Sequence, residues 1–298
     1  MSSKKIELFL DSGAYSAWTQ GTEIDINDYI KFIKKYKKYL NVYANLDVIG
    51  DPVATLKNQE KMEKAGLKPL PCFHYKEDEK FLKYYIKKYD YIALGGMVGT
   101  HKKQLDKWLN ETFGDFICDE VGYPKAKVHG FGLTSLDLML KYPWYSVDST
   151  SWVVNARMGS IIIPKYKKGE YRYEVLPHKV SVSLLSPDQK TKNHINAFPP
   201  EVKKTLLKYI EEKGYELGES KFRTESPDYE LKENEKWAEK KVKGMEKRRV
   251  EEQIVIGLSN DYKLRDEFNI IYFNDLEEFF PEYPRKFEPR ERRIGFGL

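Results

Sequence analysis

The feature that most constrains this chain is a regular alternation of short apolar segments with longer amphipathic ones over its first 150 residues. The apolar segments are rich in β-branched and aromatic residues and predict buried strands at 6–10, 41–46, 68–73, 89–94, 125–131 and 144–147. Between them, apolar residues three and four apart predict a helix near 25–40, and Asp51-Pro52 and Gly66 mark the ends of a second at 52–66. Further helices are predicted at 79–88, 101–118 and 135–141.

Repeated strand-helix units with right-handed crossovers form a parallel sheet, and six or more units favour a closed barrel over an open doubly wound sheet. Neither a Gly-rich dinucleotide fingerprint nor a Walker A loop follows any of the predicted strands. The sequence therefore predicts an α/β fold, a (β/α)8 TIM-like barrel.

The predicted strands end in polar residues or glycines. These are Asp11, Asp47, His74, Gly95 and Gly96, His129 to Gly132, and Asp148. Because the carboxyl ends of barrel strands meet at one mouth, we expect these residues to be neighbours. Carboxylates that share a pocket repel each other, so such a cluster indicates a metal, a base or a substrate cation.

Two interpretations of this cluster stay open at the level of the residues. Asp11, Asp47 and His74 could bind a metal ion, since carboxylates and imidazoles are common ligands. Alternatively, Tyr15 could stack on a planar heterocycle while Asp47 accepts hydrogen bonds from its N–H groups. Taken singly, each strand-end Asp could equally cap the next turn, and His74 could bond a neighbouring backbone group.

The alternation becomes irregular after residue 148. Segments 158–164 and 171–183 predict a strand pair, 200–213 and 232–253 predict helices, and 269–273 predicts a short strand. We therefore expect residues 1–185 to form the barrel core and residues 186–298 to complete the barrel as an α-rich, basic extension.

Charge and cysteine content narrow the class of protein. The net charge of +5 points to a polyanionic partner only where basic residues cluster, as they do in segments 236–249 and 285–293. Such clusters can equally be solvated surface or a frayed end.

Cys72 and Cys118 are too few for a zinc cluster and are expected to be buried thiols. No segment has the length of a membrane span or the character of a secretory signal, which predicts a cytoplasmic protein without a membrane partner.

Several motifs resemble those of the tRNA-guanine transglycosylase superfamily, in the same order along the chain. They are Asp11-Ser12-Gly13-Ala14-Tyr15-Ser16, Ala93-Leu94-Gly95-Gly96 with Val98-Gly99, His129-Gly130-Phe131-Gly132, and Ser146-Val147-Asp148-Ser149-Thr150. The resemblance covers about the first 150 residues and is strongest to the DpdA-like DNA 7-deazaguanine transglycosylases of phage and bacterial DNA-modification systems. It implies the exchange of guanine in DNA for a 7-deazaguanine base, without a cofactor or a metal.

The resemblance also implies roles for individual residues. Asp148 matches the nucleophile that forms the covalent sugar intermediate, and Asp11 matches the acid/base. The substrate-binding positions that it implies are Ser12, Tyr15, Asp47, His74, Gly95, Gly96, His129 and Gly130. Among these, we expect the base to lie between the rings of Tyr15 and His129.

The departures from the family pattern concern the nucleic acid. Ala14 and Ser16 replace a glycine and a glutamine of the usual motif, and two cysteines cannot build the zinc subdomain of the tRNA enzymes. DNA is therefore the expected partner, bound through basic residues of the C-terminal region. These are Lys240, Lys241, Lys243, Arg248 and Arg249.

Several alternatives remain alongside this interpretation. The same chemistry could act on tRNA, the barrel could be a metal-dependent hydrolase, or the chain could be a non-catalytic nucleic-acid-binding subunit. A homodimer is also compatible with the sequence.

Overall fold

A computed structural model describes residues 7–133, 135–186, 189 and 193–288 of the chain. Its residues divide into two compact units. The first unit comprises residues 1–149 together with 281–298, and the second comprises residues 150–280. The boundary predicted at residue 185 therefore falls inside the second unit.

The first unit is built on parallel strands joined by helices. Its strands are β1 (Leu8–Leu10), β2 (Leu40–Tyr43), β3 (Cys72–His74), β4 (Tyr91–Gly95), β5 (Lys127–Gly130) and β6 (Ser146–Val147). β1 pairs with β2, and β3 to β6 form a second parallel sheet in that order. A parallel bridge between Ala44 and Leu70 joins the two sheets edge to edge. The array therefore contains all six strands predicted in this part of the sequence.

This array is strongly curved. The ring of Phe9 on β1 stacks on the ring of His129 on β5, with centroids 4.5 Å apart. In a flat sheet, side chains four strands apart would be separated by about 19 Å, because neighbouring strands lie about 4.8 Å apart. Apolar side chains fill the concave side, among them Leu70, Cys72 and Ala93. Such curvature is what a barrel requires, and closure into eight strands stays a prediction.

The helices of the first unit follow the predicted order. They are α1 (Ala14–Thr19), α2 (Ile26–Tyr36), α3 (Pro52–Lys64), α4 (Glu79–Lys88), α5 (Lys102–Glu111) and α6 (Leu136–Lys141), with a 3-10 segment at Lys37–Tyr39 and a π-helical segment at Thr112–Ile117. Asp25, Asp51 and Asp78 cap α2, α3 and α4 by accepting hydrogen bonds from free N–H groups of the first turn. The predicted helix 79–88 is confirmed at both ends.

The described residues that follow the second unit return to the first. Phe287 is buried and stacks on Tyr142 with ring centroids 5.3 Å apart. The guanidinium of Arg285 donates hydrogen bonds to the carbonyls of Met139, Leu140 and Tyr142, at the end of α6. Arg285 of the predicted basic tail is thus part of the first unit, and the remaining arginines of that tail lie outside the described residues.

The second unit mixes helices with antiparallel strands. Its elements are α7 (Ser151–Arg157), β7 (Ser160–Ile163), β8 (Lys165–Lys167), β9 (Glu170–Arg172), β10 (His178–Ser181), a 3-10 segment at Ile195–Ala197, α8 (Pro200–Glu212), β11 (Glu219–Glu225), β12 (Glu235–Trp237), β13 (Arg248–Val255) and α9 (Tyr262–Phe279). β7 pairs with β10, β8 with β9, and β13 lies between β11 and β12. The predicted strand pair is confirmed by β7 and β10.

Two predictions for the second unit are wrong. Segment 232–253 forms β12 and most of β13 rather than a helix, because β12 pairs with β13 and β13 pairs with β11 on its other side. Segment 269–273 lies within α9, whose buried residues Phe268, Tyr272 and Leu276 are spaced as on one face of a helix. The second unit therefore combines helices with antiparallel strands, and β12 and most of β13 lie where the sequence predicted helix 232–253.

A search of the described residues for helices long and apolar enough to cross a membrane found none.

Candidate active site

The polar residues predicted to meet at the strand ends do lie at one edge of the curved array. Asp11, Asp47 and Asp148 each follow a strand directly or within a few residues, whereas His74 and Gly95 are the last residues of β3 and β4. His129 and Gly130 occupy the end of β5. All of them belong to the first unit, so one unit contains every predicted catalytic and substrate-binding residue.

The carboxyl groups of Asp11 and Asp148 are close enough to affect each other. Partial desolvation raises the pKa of Asp148, the hydrogen bond from the Gly132 N–H partly offsets this, and the charge of Asp11 raises the pKa further. Partial desolvation also raises the pKa of Asp11. A hydrogen bond from the Ser12 N–H to Oδ1 of Asp11, at 2.7 Å, lowers this pKa, and repulsion from Asp47 raises it. Two repelling carboxyls with raised pKa values are suited to acid/base and nucleophilic roles.

A continuous hydrogen-bonded chain runs from the Asp11 loop to β3. The Ser12 hydroxyl donates to Oδ1 of Asp47 at 2.9 Å, and Oδ2 of Asp47 lies 2.8 Å from Nε2 of His74. Nδ1 of His74 lies 2.9 Å from Oε1 of Glu77, and the His74 backbone N–H donates to Oε2 of Glu77 at 2.9 Å. Both ring nitrogens of His74 are therefore occupied by carboxylates, which fixes the orientation of Asp47.

The charge state of His74 follows from these partners. Burial disfavours the imidazolium, but hydrogen bonds to the carboxylates of Asp47 and Glu77 outweigh this effect and raise the pKa of His74 well above its usual value. Burial raises the pKa of the Cys72 thiol to about 11. The cationic ring thus offsets the negative charge that the strand ends concentrate here. Cys72 and Cys118 are both free and buried, as predicted.

The glycines at the end of β4 leave room for this chain. A Cβ atom at Gly95 would lie 2.8 Å from Cδ2 of His74 and 2.9 Å from Sγ of Cys72, both of which are in the packed interior. Gly96 has a positive φ of 69° and is exposed. Gly96 is therefore accessible to a ligand, and the amide contact implied for it stays a prediction.

The two predicted stacking residues differ in exposure. The ring of Tyr15 in α1 lies 6.1 Å from the ring of Trp18, and Tyr15 is 51% exposed, so an open aromatic surface lies in the helix that follows the Asp11 loop. His129 is only 2% exposed, because Phe9 stacks on its ring and Phe131 contacts it edge to face at 4.6 Å. The expected base sandwich needs an open face of His129, and this packing leaves none.

The predicted basic residues lie in the second unit. Lys240, Lys241 and Lys243 are exposed in the connection between β12 and β13. The guanidinium of Arg248 lies over Trp237, 4.3 Å from the ring centroid, and that of Arg249 lies over Phe222 at 4.1 Å. Basic groups stacked on aromatic rings form a surface that suits phosphates and bases.

One group of side chains has the composition of a metal site. Ligand atoms of Asp47, Cys72 and His74 all lie within 4.8 Å of one another. Asp11 of the predicted metal set is replaced by Cys72, which sequence reasoning had assigned to the core. Glu77 contacts Nδ1 of His74 and would fix the ring while Nε2 binds the metal, an arrangement that is common at zinc ligands.

The sequence did not indicate a role for Glu77 or Tyr91, and it gave Ser146 only as part of a motif. Glu77 stands three residues after His74, and this His-x-x-Glu spacing at a strand end could have indicated the contact. The Ser146 hydroxyl lies 2.7 Å both from Nδ1 of His129 and from the Tyr91 hydroxyl. Those two residues precede the polar strand ends, so the strand-end pattern could not single them out.

Comparisons with protein-family models, curated proteins and solved structures returned no match.

Proposed function

We propose that this protein is a transglycosylase that exchanges guanine in DNA for a 7-deazaguanine base through a covalent Asp148-deoxyribose intermediate. The observation that carries the proposal is the pair of mutually repelling carboxyls, Asp11 after β1 and Asp148 after β6, together with the exposed ring of Tyr15 four residues after Asp11. Breaking and remaking a glycosidic bond with retention requires one carboxylate as nucleophile and a second group to transfer a proton.

In the first half-reaction, a carboxylate oxygen of Asp148 attacks C1′ of the target nucleotide. The C1′–N9 bond breaks, and its electron pair leaves with guanine, which takes a proton from Asp11. The raised pKa of Asp11 supports this role, because a carboxyl that keeps its proton nearer to neutral pH is a better acid. The target nucleotide must first leave the base stack, at a cost of about a few kcal/mol.

In the second half-reaction, the incoming 7-deazaguanine gives its N9 proton to Asp11 and attacks C1′. The ester bond breaks, and its electron pair returns to Asp148 as a carboxylate. Asp47 accepts hydrogen bonds from the edge of the base, since each carboxylate oxygen has a lone pair beyond those used by Ser12 and His74. Tyr15 stacks on the base, and the amides near Gly95 and Gly96 contact its edge.

We take DNA as the polymer, because the exposed lysines of the second unit can bind phosphates and its guanidinium-aromatic pairs can contact bases. The test incubates the protein with a labelled 7-deazaguanine and either DNA or tRNA, followed by mass spectrometry of the nucleosides. We expect incorporation into DNA, and incorporation into tRNA alone would establish the tRNA alternative.

The nucleophile has its own test. Asp148→Asn keeps an acceptor for the Gly132 N–H, which donates to Oδ1 at 2.6 Å, so the fold is retained. We expect this variant to lose both base incorporation and the covalent adduct on denaturing gels. The control is Asp28→Asn, which removes a carboxylate from an exposed ion pair with Lys31. Full activity of Asp148→Asn would exclude the proposal.

A metal-dependent hydrolase is the second candidate, favoured by the grouping of Asp47, Cys72 and His74. It predicts stoichiometric zinc in the purified protein by elemental analysis and loss of activity with a chelator. Incorporation of the base in the presence of the chelator would reject it.

A further inference from the structure

A buried ring nitrogen of His129 lies near Asp148, the proposed nucleophile. The base-exchange scheme gives this nitrogen no role. The nitrogen is Nε2, which has no hydrogen-bond partner within the described part of the chain. Nε2 lies 3.8 Å from Oδ1 of Asp148. This distance is too long for a hydrogen bond, but a small movement would close it. A buried polar atom left unpaired is costly, so its persistence at a functional site calls for a partner that arrives later.

The other nitrogen of the ring is held by a relay. Nδ1 of His129 lies 2.7 Å from the Ser146 hydroxyl, which lies 2.7 Å from the Tyr91 hydroxyl. Burial lowers the pKa of His129 to about 4, so the ring is neutral near pH 7 and carries one proton. Burial raises the pKa of Tyr91, although its hydrogen bond to Ser146 opposes this, and Tyr91 therefore keeps its proton.

Electrostatics decides which nitrogen carries the proton of His129. If Nδ1 carried it, the lone pair of Nε2 would face the Asp148 carboxylate, and two acceptors would repel each other. If the hydroxyls donate in the order Tyr91 to Ser146 to Nδ1, Nε2 carries the proton and faces the anion. The second arrangement satisfies every hydroxyl and aims a donor at Asp148.

The ring is also prevented from turning away. Phe9 stacks on it with centroids 4.5 Å apart, and Phe131 packs against it at 4.6 Å. Asp148, by contrast, has a side chain that is 49% exposed. A movement of the Asp148 side chain, rather than of the His129 ring, would therefore bring Oδ1 within hydrogen-bond distance of Nε2. The carboxylate of Asp148 already accepts a hydrogen bond from the Gly132 N–H at 2.6 Å.

We propose that His129 is a positioning residue whose Nε2–H, together with the Gly132 N–H, forms a two-donor cradle for the Asp148 carboxylate as it leaves C1′. This inference rests on the proposed function. During the second half-reaction the C1′–O bond breaks and its electron pair returns to Asp148, so negative charge grows on the oxygens that the cradle faces. Preorganised donors aimed at a developing charge accelerate the step that creates it.

The consequence is a selective effect on one half of the reaction. In the first half-reaction, the same donors stabilise the attacking carboxylate in the ground state and give no acceleration. We therefore expect His129→Phe to form the covalent adduct at a rate within about threefold of wild type, and to release it to an incoming base about tenfold more slowly. The adduct then accumulates during turnover.

The experiment follows adduct formation on a DNA oligonucleotide by denaturing gel, then its decay after addition of a 7-deazaguanine. His129→Gln places an amide N–H near the position of Nε2 and should restore decay to within about threefold of wild type. Ser146→Ala removes the hydroxyl that fixes the proton on Nε2, and we expect decay to slow about threefold. Ser146→Ala also serves as the test if His129→Phe does not fold.

The outcomes separate the two proposals. If wild type forms no adduct with any nucleic acid, the proposed function fails. If wild type forms the adduct and His129→Phe and Ser146→Ala release it at the wild-type rate, the cradle is refuted and the proposed function stands. Equal slowing of formation and decay in His129→Phe, without rescue by His129→Gln, refutes it as well, because a merely structural role acts on both steps.

Discussion

Replacing Glu77 gives a quantitative test of the hydrogen-bonded chain that links Asp47, His74 and Glu77. Its carboxylate accepts two hydrogen bonds from His74, one from the ring and one from the backbone, each at 2.9 Å. The side chains of Glu77 and His74 are 7% and 9% exposed, so water cannot replace either bond. Glu77→Gln keeps one acceptor and the shape of the side chain but removes the charge that faces the imidazolium.

Breaking a buried ion pair by neutralising one partner costs about 3 to 5 kcal/mol. Because the amide oxygen of Gln retains one hydrogen bond, and Asp47 still contacts the ring, we expect a loss of about 3 kcal/mol in the free energy of unfolding of the first unit. Glu79→Gln is the matched control. Glu79 is 62% exposed and lies 3.5 Å from Lys83, so its loss should cost less than about 0.5 kcal/mol.

Thiol labelling in urea measures this unit alone, since Cys72 and Cys118 both lie in it and both are buried. Cys118 is the better reporter, because it is remote in sequence from His74 and burial keeps its pKa at about 12. Its labelled peptide is followed by mass spectrometry across a urea series. The urea midpoint of Cys118 labelling is compared for wild type, Glu77→Gln and Glu79→Gln. If the midpoint of Glu77→Gln is as close to that of wild type as the midpoint of Glu79→Gln is, the buried ion pair is refuted.

Three further predictions follow from the same geometry. His74 has a raised pKa in the folded state, so the stability it contributes is fully present below its unfolded value of about 6.5 and is lost as pH rises toward the folded value. The difference in unfolding free energy between wild type and His74→Gln should therefore shrink from pH 6 to pH 9, and a constant difference would contradict a charged ring. Gly95→Ala should destabilise the first unit by about 1 to 3 kcal/mol in urea, because the new methyl meets His74 and Cys72 within 3 Å, whereas Gly114→Ala, whose nearest contact is 3.7 Å away, should change it by less than about 0.5 kcal/mol. Replacing Lys240, Lys241 and Lys243 by alanine should weaken DNA binding and lower the slope of log affinity against log salt by about 2 to 3, and the control replaces Lys57, Lys61 and Lys64 on α3 by alanine. If the control weakens DNA binding equally, the loss comes from the change in net charge and not from a specific binding surface.

Local signals were sufficient for most of the first unit. Helix α4 was predicted correctly because Asp78 caps it and its apolar residues share one face, and both signals are local in sequence. The strand-end rule placed Asp11, Asp47 and Asp148 at one edge for a similar reason, since parallel strands carry their ends to the same side. The packing of His129 could not be predicted, because it depends on Phe9, which is distant in sequence and approaches only when the array curls.

The errors in the second unit have an equally specific cause. Segment 232–253 is rich in charged residues and looks like a solvated helix, but its charges are satisfied across strands. Arg223 on β11 pairs with Glu235 on β12 and with Glu252 on β13. Glu251 is fully buried on β13, and the Ser220 hydroxyl donates to it at 2.8 Å. Only the register of the sheet reveals these partners, and that register is not encoded in the spacing of the segment itself.

The return of residues 281–288 to the first unit has a consequence for how the chain is made. Because residues 150–280 form a separate unit, the first one is interrupted, and Arg285 and Phe287 complete its packing only after the intervening residues have been translated. A nascent chain that has emerged only to Ser149 carries every proposed catalytic carboxyl yet leaves Phe113 and Tyr142 without their last aromatic neighbour. The contacts that complete the packing of the first unit therefore form last, after residues 150–280 have been translated.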